Sequence, residues 1–149
     1  MVRSKEEVRT FYKRWGAPVL TFWRLFLGDE AQAEEATAEA FLVYLRGDHA
    51  LEQNHALILL LRFAVDTAQD RASPSVSRKP DDQTLKSAVL LLPCEQRAVF
   101  ILRNVLRMDA ASVAIATGLP CEQLRELWLR SLLAVRELLP KDFFKERTR

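Results

Sequence analysis

Large apolar residues recur at spacings of three and four through the first thirty positions: Val8, Phe11, Tyr12, Trp15, Val19, Phe22, Trp23 and Phe26. That period is the period of one wall of an α-helix, and no strand can present those side chains to a single core. Ser4-Lys5-Glu6-Glu7 reads as a capping box that starts this helix. Pro18 should bend it, and Gly28 should end it. Asp29 is placed to cap a second helix running to about Arg46, with Ala33, Ala36, Thr37, Ala40, Phe41 and Tyr44 facing inward and the acids facing out. A loop, Gly47 to Asn54, precedes a third and very apolar helix from about His55 to Ala72. Glycine is scarce, and β-branched residues nowhere alternate with polar ones over a useful stretch. The expected fold class is all-α.

The texture changes at "SPSVSRKPDD", whose prolines, serines and charges surround a single large apolar residue, Val76. It reads as a linker over residues 73–82 between two small helical domains, 1–72 and 83–149. Beyond it the pattern predicts a short helix around Thr84 to Leu91 and another from Pro93 to about Leu106. A further short helix should be capped by Asp109 and closed by Gly118, and a long one should run from Pro120 to about Leu138. A short helix, a tight turn containing glycine and a longer helix form the pattern of a helix-turn-helix.

The pentapeptide Leu-Pro-Cys-Glu-Gln occurs twice, at Leu92 and at Leu119. Zinc sites need about four ligands, usually clustered in pairs. Cys94 and Cys121 each stand alone, with neither His49 nor His55 close to them in sequence. Both copies instead read as helix starts, with proline where a first turn tolerates it and glutamate where the dipole favours an acid. No metal site and no cofactor are expected. There is no Ser-His-Asp order, phosphate-cradling glycine loop or paired-carboxylate motif, so neither an enzyme nor a small-molecule substrate is expected. The net charge of +2 does not by itself point to nucleic acid. Its distribution is uneven: Arg3, Lys5, Arg9, Lys13, Arg14 and Arg24 fall on the first helix, and Asp29, Glu30, Glu34, Glu35 and Glu39 on the second. The N-terminus lacks a signal-peptide pattern, and the most apolar run, "ALILLLRFAV", is too short to span a bilayer. A cytoplasmic protein with no membrane partner is the expectation.

The second half resembles region 4 of the extracytoplasmic-function sigma factors, the compact bacterial transcription initiation factors. The resemblance rests on Leu92-Pro93, Arg97, Val99-Phe100, Leu102, Val113-Ala114, Gly118, Leu124-Arg125, Arg130 and Arg136-Glu137-Leu138-Leu139. The first half resembles region 2 of the same family through "FYKRWGAPVLTFWRLFLGDEAQAEEATAEAFLVYLR", with "LLLRFAVDTAQDRA" in the place of the promoter-melting helix. The likeness covers nearly the whole chain in the family's order. It implies a region 2-like three-helix domain, a linker and a region 4-like helix-turn-helix domain. It also implies core RNA polymerase and promoter DNA as partners, with an anti-sigma factor as a further one.

By this resemblance Glu34, Glu35 and Glu39 would dock on the polymerase clamp. Arg62 and Arg71 would meet DNA at the upstream edge of the bubble. Gln123, Arg125, Glu126, Arg130 and Arg136 would serve the major groove and its phosphates. A recognition helix offers residues of these types: Gln to adenine, Arg to guanine or phosphate, Glu to cytosine. On the final helix Gln123, Arg125, Glu126 and Arg130 share one side, while Leu124, Trp128, Ser131 and Val135 share the side expected to face the core. The chain departs from the family at Ala38, usually glutamine, at Leu59, usually tryptophan, and at Val65-Asp66, usually Arg-Asn. Leu127 and Leu132 stand where the family commonly has arginine. Leu129 and Leu133 lie near the arginine side, so that face is expected to be covered by region 2, a second copy or another protein. A second reading therefore stays open: a sigma-shaped interaction protein that has lost competent promoter binding.

Overall fold

The computed structural model describes residues 5–47, 56–71 and 84–139, and every regular element among them is helical. Ser4, His49, His55 and the 73–82 segment lie outside the described residues. Helix α1 (Lys5–Leu27) runs through Pro18 as one element and buries Phe11, Val19, Phe22, Trp23 and Phe26. It ends at Gly28, whose φ of +71° needs no Cβ; one added there would sit 2.8 Å from Leu90 Cδ1. Asp29 then caps α2 (Glu30–Arg46), accepting from the Gln32 amide at 3.0 Å. The corner is clamped by the Arg24 guanidinium, which donates to both Glu30 oxygens at 2.6–3.0 Å. That pair holds the Glu30 carboxyl below its ordinary pKa.

All six residues expected on the inner face of α2 are buried. Phe11 stacks on Tyr44 with ring centroids 5.0 Å apart and meets Phe41 edge-on at 5.5 Å. These contacts close α1 on α2 and make a base for α3 (Ala56–Arg71), which buries Ala56, Leu60, Leu61, Ala64 and Ala68.

In the second half Thr84 caps α4 (Leu85–Leu90), and α5 (Cys94–Phe100) follows Pro93. Proline occupies the cap position itself at both Pro93 and Pro120, one place earlier than a first-turn proline, and neither cap makes a side-chain hydrogen bond. Helix α5 widens into a π turn over Ile101–Val105, closed by the Leu106 amide on the Ile101 carbonyl at 3.0 Å. Asp109 caps α6 (Ala110–Thr117), Gly118 ends it at φ +73°, and α7 (Cys121–Leu138) completes the described chain.

The two halves flanking residues 73–82 pack together. Helix α6 lies on α3, and α4 and α5 lie on the C-terminal part of α1, so one hydrophobic cluster runs through both halves. Arg97 is the polar pin of that junction. It is 6% exposed and donates to the Phe26 carbonyl at 2.7 Å, Leu90 at 2.8 Å and Leu92 at 3.0 Å, with its guanidinium 4.9 Å from the Phe26 ring. Phe26 contributes one of the carbonyls that a helix end leaves without an intrahelical donor, and a cation there also meets the negative end of the α1 dipole. No helix among the described residues is long and apolar enough to cross a membrane.

Candidate nucleic-acid interface

The helix-turn-helix starts from a constrained backbone. Arg107 sits at φ +55°, a left-handed conformation uncommon outside glycine, and it turns the chain out of the π segment into the α6 cap. Asp109 accepts from the Ser112 amide at 2.7 Å, and this bond holds its carboxyl below the ordinary range. At the other end of α6 the Gly118 amide donates to the Ala114 carbonyl at 2.8 Å. The three-residue link Gly118-Leu119-Pro120 then redirects the chain into α7.

Helix α7 divides as its sequence period predicts. Leu124, Ser131 and Val135 are buried, and the helix packs on α5. Trp128 faces the same way but is half-buried. Its ring lies 4.6 Å beneath the Arg103 guanidinium, and Arg103 in turn donates to the Met108 carbonyl at 2.9 Å. Gln123, Arg125, Glu126, Arg130 and Arg136 are all exposed. Arg130 and Glu126 form an i, i+4 pair at 2.6 Å with both side chains more than half open to solvent. Such a pair adds little stability, and a phosphate can displace the carboxylate from Arg130 at small cost.

Of the three covers expected for this face, the first half supplies none among the described residues: Leu129 and Leu133 are 48% and 60% exposed. Leu127 and Leu132, at positions where the family commonly has arginine, are half-buried, and Leu132 packs against the hydrophobic cluster.

The other expected site residues are spread over the first half. Glu34, Glu35 and Glu39 are exposed on α2. Beside them a groove of about 100 Å³ lies between α2 and α3, floored by Ala36, Ala40 and Phe63 and rimmed by Glu39 and Asp66. Arg62 is exposed on α3 in the company of Asp66 and Asp70, while the side chain of Arg71 lies outside the described residues. A larger cavity of about 250 Å³ marks the junction of the halves, where Phe26, Val65, Cys94 and Leu119 meet.

Two arginines take roles that sequence reasoning did not assign. Arg97 is internal and structural. Arg107 is an exposed cation fixed beside the α6 cap by its own backbone. A positive φ at a residue with a side chain leaves no signature in the sequence, so nothing there singles out Arg107. No protein-family model matches the chain, and comparison with characterised proteins gives no significant match.

Proposed function

We propose that the chain is a bacterial transcription initiation factor of the extracytoplasmic-function sigma type, a cytoplasmic, non-enzymatic protein. In this reading it joins core RNA polymerase through the acidic face of α2 and promoter DNA through α7. The observation that carries the reading is the α6–Gly118–α7 unit. Its long helix turns Gln123, Arg125, Glu126 and Arg130 to solvent and buries Leu124, Ser131 and Val135 beneath them. An open face of that kind on the second helix of a helix-turn-helix is what major-groove docking requires. The α2–α3 groove with its acidic rim gives the same reading a place for a basic partner helix beside Glu34, Glu35 and Glu39. Arg62, exposed on α3, is the cation that this reading sets at the bubble edge, with Arg71 the second candidate by the resemblance, and an anti-sigma factor is the partner that would cover these surfaces between rounds.

A second reading, the sigma-shaped interaction module without promoter competence, is favoured by two observations. Leu129 and Leu133 occupy the middle of the face that should meet DNA, and Arg62 on α3 is accompanied by Asp66 and Asp70. Fluorescence anisotropy with duplex DNA over a salt series separates the two. An initiation factor shows a steep negative dependence of log affinity on log salt, and Arg130→Ala reduces that slope by about 0.9 if Arg130 meets a phosphate. Retention on immobilised core polymerase is the companion measurement. Absence of both duplex binding and retention would refute the sigma reading.

A further inference from the structure

Two helices end and one begins on the cavity of about 250 Å³ at the junction of the halves. Phe26 in the last turn of α1, Thr117 in the last turn of α6 and Cys94 in the first turn of α5 all line it. Val65 and Leu119 extend the apolar wall, and the buried Ala98 is too small to fill the space. The charged side chains that line it are both acids, one from each half: Asp66 on α3 and Glu95 on α5. We propose that this cavity binds a small organic cation, an ammonium group on a compact apolar body, held against both halves at once.

The sign of the ligand follows from the charges on every element around the cavity. Among the described residues no cation lines it. On α3, Arg62 and Asp70 stand one turn either side of Asp66 and offset each other. Arg24, near the end of α1, is paired with Glu30. Arg97 on α5 is buried and directed at the Phe26, Leu90 and Leu92 carbonyls. Helix α6 carries no charged residue, and α7 adds an exposed acid, Glu122, just beyond Leu119. The helix ends point the same way. Helices α1 and α6 bring their negative ends to the cavity, while the positive end of α5 already holds Glu95 in its first turn. An anion would meet two carboxylates; an ammonium group can donate to both.

The volume lies below the roughly 300–1,000 Å³ of sites for drug-sized molecules, so the ligand is fragment-sized and its affinity is modest. Because it touches α1 and α3 on one side and α5 and α6 on the other, it favours the packed arrangement of the halves. Occupancy therefore raises the melting temperature as ligand concentration rises. None of this depends on whether DNA or polymerase is a partner.

The probe is 2-phenylethylamine, and 2-phenylethanol, a similar body without the charge, is its control. Titration followed by amide NMR should give saturable shifts in both Val65–Ala68 and Cys94–Ala98 with the amine. Binding should weaken roughly threefold or more with the alcohol, and by a similar factor in Asp66→Asn with Glu95→Gln. Both acids are exposed, so the double variant keeps its fold. The two cysteines give a second readout, since Cys94 lines the cavity and Cys121 is exposed outside it. Iodoacetamide alkylates each thiolate at sulfur and releases iodide. Saturating amine should slow alkylation of Cys94 at least roughly twofold and leave Cys121 unchanged. Absence of saturable shifts overturns the proposal. So does an alcohol that binds as tightly as the amine, a double variant that binds like the parent, or protection falling equally on both cysteines.

Discussion

Leu92–Gln96 and Leu119–Gln123 are the same five residues, and they begin two helices with different surroundings. Locally the copies agree: proline caps each helix, cysteine follows, and glutamate sits in the first turn. After that they part. The first leads into Arg97, Ala98, Val99, Phe100, Ile101 and Leu102, all buried. The second leads into a helix with Leu124 buried and the next two residues, Arg125 and Glu126, open to solvent. Leu92 is buried and Cys94 half-buried, whereas Leu119 is half-buried and Cys121 exposed. A shared start signal sets where a helix begins. The residues after it, and the helices they meet, decide whether that helix becomes a core element or an outer face.

The sixth residue is where the copies diverge, and exchanging it is the strongest way to break the comparison. Leu124→Arg would bury an unpaired guanidinium under α7 and should cost roughly 4 kcal/mol or more. Urea denaturation should show a collapsed midpoint; a mild effect would mean that α7 lifts easily from α5. Arg97→Leu makes the reciprocal change and leaves the Phe26, Leu90 and Leu92 carbonyls without their donor. A loss of roughly 3 kcal/mol is expected, together with faster hydrogen exchange at the end of α1, a place 71 residues away in sequence. Unchanged protection at Phe26 and Leu27 would show that the pin does not hold the halves.

Trp128→Ala tests how far the second helix resembles the first in its burial. The ring is half-covered and stacked under Arg103, so truncation should cost roughly 2–3 kcal/mol, below the value for a fully enclosed tryptophan. A neutral melting curve would place the ring on the surface. The smallest effect tests the likeness itself. Glu95→Gln and Glu122→Gln each remove an acid from a first turn and should lower stability equally, by under about 0.5 kcal/mol. Unequal losses at low salt would show that one glutamate has a tertiary partner the other lacks.

Much of the fold was legible because helix starts, ends and faces are local. The inner face of α2, the caps at Asp29 and Asp109 and the stop at Gly118 follow from side chains within one or two turns. The open arginines of α7 follow from the same period. What stayed hidden is what distance in sequence conceals. Arg97 appeared only as part of a motif, and nothing near it announces a bond to Phe26. The left-handed Arg107 and the π turn before it are adjustments to packing and leave no residue-type signal. That no described residue of the first half covers Leu129 and Leu133 was likewise hidden, because the helical period says that a face is apolar but not what stands opposite it.

By itself the sequence determined that this chain is helical, where helices such as α2 and α6 begin and end, and which wall of them is apolar, because backbone hydrogen bonding and caps act within a turn. Only the tertiary structure decided which apolar wall meets which. It set α6 on α3, α4 and α5 on α1, and one face of α7 open to solvent. Burial is a property of neighbours brought together by the fold, and two identical pentapeptides with different neighbours acquire different roles.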